Sequence, residues 1–230
     1  MKNLKKGMPL LVAACLLLAG QLLWAGGGGE QPAAAPAAAK AGGVLRYAVI
    51  GSPPTLDQHV VTSDLSTLIA QHWAEGLYTF NAKYEPVPML ATGEEVKDGG
   101  KLITINLRQG VLFHNGKELT AEDVVASLRR WGEFGVRGPV VFRNVDRVEV
   151  ASKYVVNVYF KQPFSPWKTM FAMVNGGPMI HPKEVVEKQG KEPLPRTAYI
   201  GTGSYQFTEW VDDRYISLKR FDKYAALDKP

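Results

Sequence analysis

Hydrophobic and polar residues alternate along several short segments of the chain, which is the spacing of strands that bury one face. The clearest run is 102–108, where Ile103, Ile105 and Leu107 are separated by polar residues, after a turn at 98–100. The other predicted strands are 44–50, 145–150, 154–160, 204–211 and 215–220. Short polar turns join the last four runs, so we expect them to form two hairpins.

A first amphipathic helix is predicted by apolar residues that recur every three or four positions. Asp64 is placed to cap this helix, which would run to about Gly76. Its buried face would carry Leu65, Leu68, Ile69, His72 and Trp73. The pattern therefore predicts that His72 is a hydrogen-bonded core histidine.

A second amphipathic helix is predicted to open at a capping box formed by Thr120 and Asp123. Its inner face would carry Val124, Val125, Leu128 and Trp131. Arg129 and Arg130 fall outside that face, so we expect both guanidinium groups in solvent.

Two shorter helices complete the pattern. Ser165 is placed as an N-cap before Pro166, and a helix over 182–189 would end at Gly190 in a left-handed cap. Strands and helices alternate irregularly, without the repeated strand–helix units of a barrel or a doubly wound sheet. The predicted fold class is therefore α/β with mixed sheets.

The N-terminal segment 1–25 is typical of a signal peptide, because lysines precede an apolar stretch that ends in small residues. Cleavage is expected after Ala25, with cleavage after Ala19 or a retained anchor as the alternatives. Residues 26–43 are rich in Gly, Ala and Pro, which predicts a flexible linker. We therefore expect the folded domain to occupy 44–230.

The net charge of +5 raises the question of nucleic-acid binding. Without residues 1–25, the chain has 24 basic and 22 acidic residues, and no run of Lys or Arg remains. That balance lacks the electrostatic footprint of a nucleic-acid-binding surface. We therefore expect no nucleic-acid partner.

Motifs for catalysis and cofactor binding are missing from the sequence. Segment 201–205 has neither the spacing of a nucleophile elbow nor the third glycine of a dinucleotide loop. The histidines lack zinc-ligand spacing, and the ring of His114 is expected to bond backbone at a turn. Acidic pairs such as Asp212 and Asp213 fall at turns or caps. We predict no catalytic residue, no metal site and no cofactor. The four histidines are His59, His72, His114 and His181.

Several motifs follow one another along the chain. The most specific are INLRQGVLFHNG at 105–116 and LTAEDVVASL at 119–128; the others include GGVLRY at 42–47, PPTLD at 53–57, EGLY at 75–78 and GTGSYQFTEW at 201–210. Together they resemble the N-terminal part of extracytoplasmic substrate-binding proteins of the peptide/nickel family, solute-binding protein family 5, which serve ABC importers.

The resemblance implies a two-lobed fold like that of periplasmic binding proteins, of which 44–230 would form only the N-terminal part of the first lobe. It implies that the protein captures a small solute, most often a peptide, and delivers it to ABC permease subunits in the membrane without any enzymatic step. It also implies a monomer that is exported to the periplasm or attached to the outer face of the cytoplasmic membrane.

Three loops are candidates for the ligand cleft, because the family's cleft lies near the corresponding segments. Their residues are Ser52, Pro53, Thr55, Leu56, Asp57, Glu75, Tyr78, Gly201, Thr202, Gly203 and Tyr205.

Two other functional classes are compatible with the sequence. They are a secreted enzyme of hydrolase type, and a non-transport sensor or chaperone-like binding protein of the same fold.

Lipidation is an open question at Cys15, the single cysteine of the chain. The preceding Val12-Ala13-Ala14 resembles a lipobox, in which the cysteine becomes the acylated first residue. A lipobox normally closes the apolar region, whereas here the apolar run continues past Cys15. If the signal is cut near Ala25, the mature chain has no cysteine and no disulfide.

Overall fold

The structure is a computed structural model that describes residues 42–224. The predicted signal peptide, most of the predicted linker and Cys15 lie outside this part of the chain. The chain divides into two units, Met1–Tyr47 and Ala48–Pro230. Residues 42–47 of the first unit have no regular secondary structure, and the elements below belong to the second. Within 42–224, no helix combines the length and the apolar composition needed to cross a membrane.

Short strands and helices alternate through the second unit. The strands are β1 (Tyr78–Phe80), β2 (Pro86–Pro88), β3 (Ala91–Lys97), β4 (Leu102–Leu107), β5 (Val145–Ser152), β6 (Val155–Phe160), β7 (Tyr205–Val211) and β8 (Tyr215–Arg220). The helices are α1 (Asp64–Ala70), α2 (Ala121–Phe134), α3 (Gly138–Phe142), α4 (Trp167–Phe171) and α5 (Lys183–Gln189), with 3-10 turns at Asp98–Gly100 and Arg196–Ala198. This arrangement confirms the predicted α/β class.

A four-stranded antiparallel sheet in the order β3-β4-β6-β5 forms the centre of the second unit. The predicted alternation is confirmed, because Ile103 and Ile105 of β4 are buried and lie opposite Val158 and Val156 of β6. The predicted hairpins are also confirmed, since β5 pairs with β6 and β7 pairs with β8. Strands β1 and β2 form a separate two-stranded ribbon.

The larger hydrophobic core lies between this sheet and α2. The predicted inner face of α2 is buried, and Leu128 and Trp131 have no exposed surface. The capping box also forms, since the Asp123 carboxylate accepts from both the amide and the hydroxyl of Thr120. Here the apolar spacing and the cap specify the helix together.

A smaller hydrophobic core joins α1 to the β7–β8 hairpin. Trp73 is fully buried at its centre, and its ring centroid lies 5.3 Å from that of Tyr199. The remaining buried members of this core are Leu56, Ile69, Ala70, Ala74, Met179 and Leu194. The protein also buries polar residues, among them Asp57, His59 and Arg130.

The strand predicted at 44–50 is absent. Residues 44–50 are exposed, with Leu45 at 89% and Ile50 at 100% exposure. A β-prone segment becomes a strand only when a neighbouring strand satisfies its backbone hydrogen bonds. Among residues 42–224, no strand pairs with this segment.

Helix α1 is shorter than predicted and differently capped. It ends at Ala70 rather than near Gly76, and the side chain of Ser63, not Asp64, accepts from the Ser66 amide. Beyond Ala70 the chain turns, so the helical spacing no longer describes which side chains are buried. As a result His72 is partly exposed rather than in the core, and Leu68 is 45% exposed.

Three further expectations about helix ends and faces are corrected. Pro166 occupies the N-cap of α4, and no side chain caps that helix, so Ser165 does not have the predicted role. Arg129 is exposed as expected, but Arg130 is 4% exposed because its guanidinium group has buried acceptors on other segments. The predicted end of α5 at Gly190 is confirmed, and the φ of this glycine is positive at 58°. Its ψ of −125° lies outside the left-handed helical region, so the predicted left-handed cap does not form.

Candidate functional site

Two of the three candidate loops lie against each other. The Gly203 amide donates to the Trp73 carbonyl over 3.0 Å, and the Tyr205 amide donates to the His72 carbonyl over 3.0 Å. In addition to these backbone contacts, the Thr202 hydroxyl donates to Glu75 Oε2 over 2.7 Å. Thr202 and Glu75 are 1% and 5% exposed, so this hydrogen bond is buried. The fold therefore brings together residues that are 127 positions apart in the sequence.

Glycine is required at 201 and 203 by this close approach. A Cβ atom on Gly201 would lie 2.1 Å from the Trp73 carbonyl oxygen, and one on Gly203 would lie 2.5 Å from the His72 carbonyl oxygen. Both distances are far below van der Waals contact, so any larger side chain would push the two segments apart. The GTG sequence therefore serves backbone packing, with the threonine side chain directed to Glu75.

The His114 ring also bonds the backbone of segment 201–203. Its Nδ1 accepts from the Gly201 amide over 3.3 Å, and its Nε2 is 2.9 Å from the Gly203 carbonyl oxygen. An imidazole that accepts at Nδ1 and donates at Nε2 is neutral. Burial lowers the pKa of His114, which favours this neutral form. The prediction that His114 bonds backbone at a turn is confirmed.

The third candidate loop, 52–57, ends in a buried ion pair. Arg130 Nη2 lies 2.7 Å from Asp57 Oδ2, and Arg130 Nη1 lies 3.2 Å from Oδ1. The guanidinium group therefore donates hydrogen bonds to both carboxylate oxygens. The two side chains are 3% and 0% exposed. Burial alone would raise the pKa of Asp57, but the hydrogen bond and the charge of Arg130 lower it to about 2. Asp57 is therefore ionised at neutral pH.

Loop 52–57 is also anchored by Tyr199. The Tyr199 hydroxyl accepts from the Leu56 amide over 3.1 Å and lies 3.2 Å from the Thr55 hydroxyl. Leu56 itself is buried in the smaller core. Ser52, by contrast, is exposed, and its hydroxyl donates to Asp213 over 3.1 Å. The loop therefore has an anchored base and an exposed tip.

Two buried histidines flank the ion pair. His59 Nδ1 lies 3.0 Å from Arg130 Nη1 and must accept there, so its Nε2 carries the proton that it donates to the Met179 carbonyl over 2.8 Å. The ring of His181 lies 5.3 Å from that of His59. Burial lowers the pKa of His59 to about 3 and that of His181 to about 4, so both are neutral at physiological pH.

Tyr78 has its polar contact away from these loops. It is 2% exposed in the larger core, and its hydroxyl donates to Glu94 Oε2 over 3.1 Å. Lys168 holds the other oxygen of Glu94 at 2.6 Å. Burial and the neighbouring carboxylate raise the pKa of Tyr78 above its usual range. Of the remaining candidates, Pro53 is buried and Tyr205 is 41% exposed.

The sequence did not identify two buried residues that hydrogen-bond the candidate loop 52–57. Arg130 and Tyr199 lie outside every quoted motif, and apolar spacing does not identify a polar residue at the edge of a buried helix face. Ser127, three residues before Arg130 in α2, is also buried and polar, but only the structure shows this burial. One helix edge thus carries two buried polar side chains.

Two cavities of the described residues lie outside the candidate loops. A groove of about 650 Å³ lies between α2, α5 and β5, with Val125, Val186 and Val150 among its lining residues. A smaller cavity of about 290 Å³ lies beside His114, lined in part by Lys219 and Lys223. Within residues 42–224, no cluster of three or more His, Cys, Asp or Glu side chains could hold a metal ion.

Comparison with known proteins identifies the class to which this chain belongs. The model of the bacterial extracellular solute-binding proteins, family 5 (Middle), matches residues 85–230. The chain belongs to this family.

Among curated relatives, the glutathione-binding protein GsiB of Salmonella paratyphi A is 32% identical over 178 residues, which cover 76% of this chain and 34% of the relative. GsiB of Escherichia coli K12 is 29% identical over 174 residues, covering 74% and 33%. The chain thus spans about a third of the length of the curated relatives it matches.

Solved structures show the same relationship. The oligopeptide-binding protein AppA of Bacillus subtilis, in complex with a nonapeptide, has a TM-score of 0.66 and 27% identity, covering 76% of this chain and 36% of AppA. The binding protein AgaA of A. tumefaciens R10, in complex with agropinic acid, has a TM-score of 0.65 and 28% identity, covering 76% and 35%. The described fold is therefore part of a periplasmic-binding-protein fold, as the sequence motifs predicted.

Proposed function

We propose that this chain supplies part of an extracytoplasmic solute receptor that captures a small peptide and delivers it to the permease of an ABC importer. The observation that carries the proposal is the family match over 85–230. Because the chain covers about a third of its relatives, the complete receptor would include further segments that help to enclose the ligand.

A peptide is the proposed ligand class because two relatives bind peptides of different length. GsiB is named for glutathione, which is a tripeptide, and AppA was solved with a nonapeptide. AgaA, at similar identity, was solved with agropinic acid, so the same fold accommodates other solutes. Identity near 30% therefore supports the class of ligand without selecting one peptide.

We propose that loops 52–57, 75–78 and 201–205 form this chain's share of the ligand cleft. The exposed tip at Ser52 and the exposed ring of Tyr205 are the candidates for direct contact. Asp57, Glu75 and Thr202 are buried, and their side chains already bond within the protein. Their proposed role is to fix the shape of the loops.

The receptor would act without covalent chemistry. The relatives described above are named as binding proteins, which supports a receptor over a secreted enzyme. Ligand binding would stabilise the closed form of the two lobes by binding that form more tightly than the open one. We propose that the receptor works as a monomer, either in the periplasm or attached to the outer face of the cytoplasmic membrane.

Titration calorimetry of the complete gene product, prepared without residues 1–25, tests the proposal. The probes are reduced glutathione, a nonapeptide, agropinic acid and a nickel chelate. Saturable one-to-one binding of either peptide without product formation is the expected result. Binding of agropinic acid or the chelate alone would overturn the peptide assignment. Product formation, or no binding by the folded protein, would overturn the receptor.

A matched pair of tyrosines tests the location of the cleft. Tyr205 and Tyr215 are 41% and 47% exposed and lie at opposite ends of the β7–β8 hairpin. We expect Tyr205→Ala to weaken ligand binding roughly tenfold and Tyr215→Ala to leave it within about twofold. Equal effects of the two substitutions would contradict the proposed cleft.

A further inference from the structure

Every N–H donor of the Arg130 guanidinium group, which contacts the end of the candidate loop 52–57, has a hydrogen-bond acceptor. A guanidinium group has five N–H donors. Two of them bind the Asp57 carboxylate and one binds His59 Nδ1. The other two bind the carbonyls of Gly190 and Glu192, each over 2.8 Å. Each donor has an acceptor on a segment outside α2.

The partner carboxylate is equally saturated. Asp57 Oδ1 accepts from the His59 amide over 3.1 Å as well as from Arg130 Nη1. Asp57 Oδ2 accepts from the Leu194 amide over 3.0 Å as well as from Arg130 Nη2. The pair therefore joins three chain segments, namely the end of loop 52–57, helix α2 and the turn after α5. No rotation of either group preserves all of these bonds.

A buried ion pair of this kind is a poor source of net stability. Removing two charges from water offsets most of their attraction, and apolar pairs of similar size often stabilise a fold equally well. An apolar pair would not favour one orientation of its partners, since dispersion contacts are not directional. The hydrogen bonds between Arg130 and Asp57 are directional, so they specify where the backbone of Asp57 and His59 must lie.

We propose that Arg130 is a positioning residue for ligand recognition, holding loop 52–57 through Asp57 in the conformation that presents Ser52 at the cleft. The proposal rests on the proposed function for its effect on ligand affinity. Its effect on the loop itself does not depend on any ligand. The two consequences are therefore measured separately.

Arg130→Lys is the informative substitution, because it keeps the charge and the aliphatic stem but loses the fork. Arg129→Lys is the matched control, since Arg129 is the exposed neighbour on the same helix and donates to the Val148 carbonyl. Should Arg130→Lys fail to fold, Asp57→Asn replaces it, because the amide keeps the shape of the carboxylate while removing one acceptor and the charge.

Hydrogen exchange measured by mass spectrometry on the complete gene product reports the position of the loop. We expect Arg130→Lys to speed exchange roughly tenfold or more in peptides that contain His59 and Leu194, whose amides bond Asp57. Exchange in β4 and β6 should stay at the wild-type rate, whereas a merely destabilising substitution would speed exchange in the whole domain. Unchanged exchange at His59 and Leu194, or a uniform increase, would overturn the positioning role.

Ligand affinity is measured at 10 °C with reduced glutathione and the nonapeptide, under conditions where each variant is folded by circular dichroism. We expect Arg130→Lys to weaken binding roughly tenfold and Arg129→Lys to leave it within about twofold. Affinity within twofold for both variants would overturn the role in recognition. If the wild type binds neither peptide, the peptide assignment has failed, and the exchange experiment alone decides whether Arg130 positions the loop.

Discussion

Thr202 and Glu75 are joined by a hydrogen bond of 2.7 Å that links two of the loops singled out by the sequence motifs. The Tyr224 hydroxyl donates to the other oxygen of Glu75 over 3.0 Å. The Glu75 backbone is held as well, because its carbonyl accepts from the Ile180 amide over 2.9 Å. The buried Glu75 carboxylate therefore accepts hydrogen bonds from two side chains that are distant from it in the sequence.

Loss of the Thr202 hydroxyl should destabilise the protein. Thr202→Val keeps the shape of the side chain but removes a buried donor to a carboxylate, and we expect it to lower the free energy of unfolding by about 1.5–3 kcal/mol. Thr202→Ser retains the hydroxyl and is the control, with an expected loss below about 1.5 kcal/mol. Urea unfolding followed by circular dichroism measures both. Equal losses for the two variants would show that the hydroxyl contributes nothing.

A methyl group at Gly201 should be poorly tolerated, because the Cβ atom would overlap the Trp73 carbonyl. We expect Gly201→Ala to cost about 3 kcal/mol or more, since the obstructing atom belongs to the backbone. Gly93→Ala is the matched control, because a Cβ atom on Gly93 would have no heavy atom within 4 Å and the φ of this glycine is not positive. We expect its effect on thermal unfolding to stay within about 0.5 kcal/mol. A small loss at Gly201, comparable with that at Gly93, would contradict the tight packing of the two segments.

Acid should destabilise the fold through His59 and His181. Their pKa values are lowered by burial to about 3 and about 4, whereas an unfolded histidine titrates near 6.5. As the pH falls below 6.5 the unfolded chain binds protons that the folded protein does not, so the free energy of unfolding falls. Each histidine should cost on the order of 2 kcal/mol by pH 5.

Chemical denaturation at intervals from pH 7.5 to pH 5 tests this dependence. His181→Gln should reduce the slope of stability against pH, because one of the two titrating groups is gone. Asp57 does not contribute in this window, since its pKa is about 2 and its unfolded value lies near 4. Stability that stays flat between pH 7 and pH 5 would contradict the buried, neutral state of both imidazoles.

Truncation of two adjacent residues of α1 should destabilise the protein to different extents. Ile69 is 8% exposed and Leu68 is 45% exposed. We expect Ile69→Ala to cost about 2–4 kcal/mol through lost burial and the cavity it leaves, and Leu68→Ala to cost less than about 1 kcal/mol. Thermal unfolding of the two variants measures the difference. Similar losses would mean that Leu68 is buried as the helical spacing predicted.

Several strands and helix ends of this protein could be predicted from its sequence alone. Alternation at 102–108, the capping box at Thr120 and the end of α5 at Gly190 depend on neighbouring residues, and each is present in the structure. The family motifs are local as well, and they were sufficient to identify the family. Short-range sterics and apolar periodicity act within a few residues, so a single sequence displays them.

The tertiary structure decided which polar residues meet. Nothing in the spacing of Asp57 and Arg130, 73 positions apart, indicates that they form a saturated ion pair, and the helical pattern placed Arg130 in solvent. It likewise placed Leu68 inside and Asp64 at the cap of α1, because periodicity does not report where a helix ends against its neighbours. Long-range hydrogen bonds form between groups that only the packed chain brings within 3 Å, and for that physical reason the anchors of the candidate cleft became visible only in three dimensions.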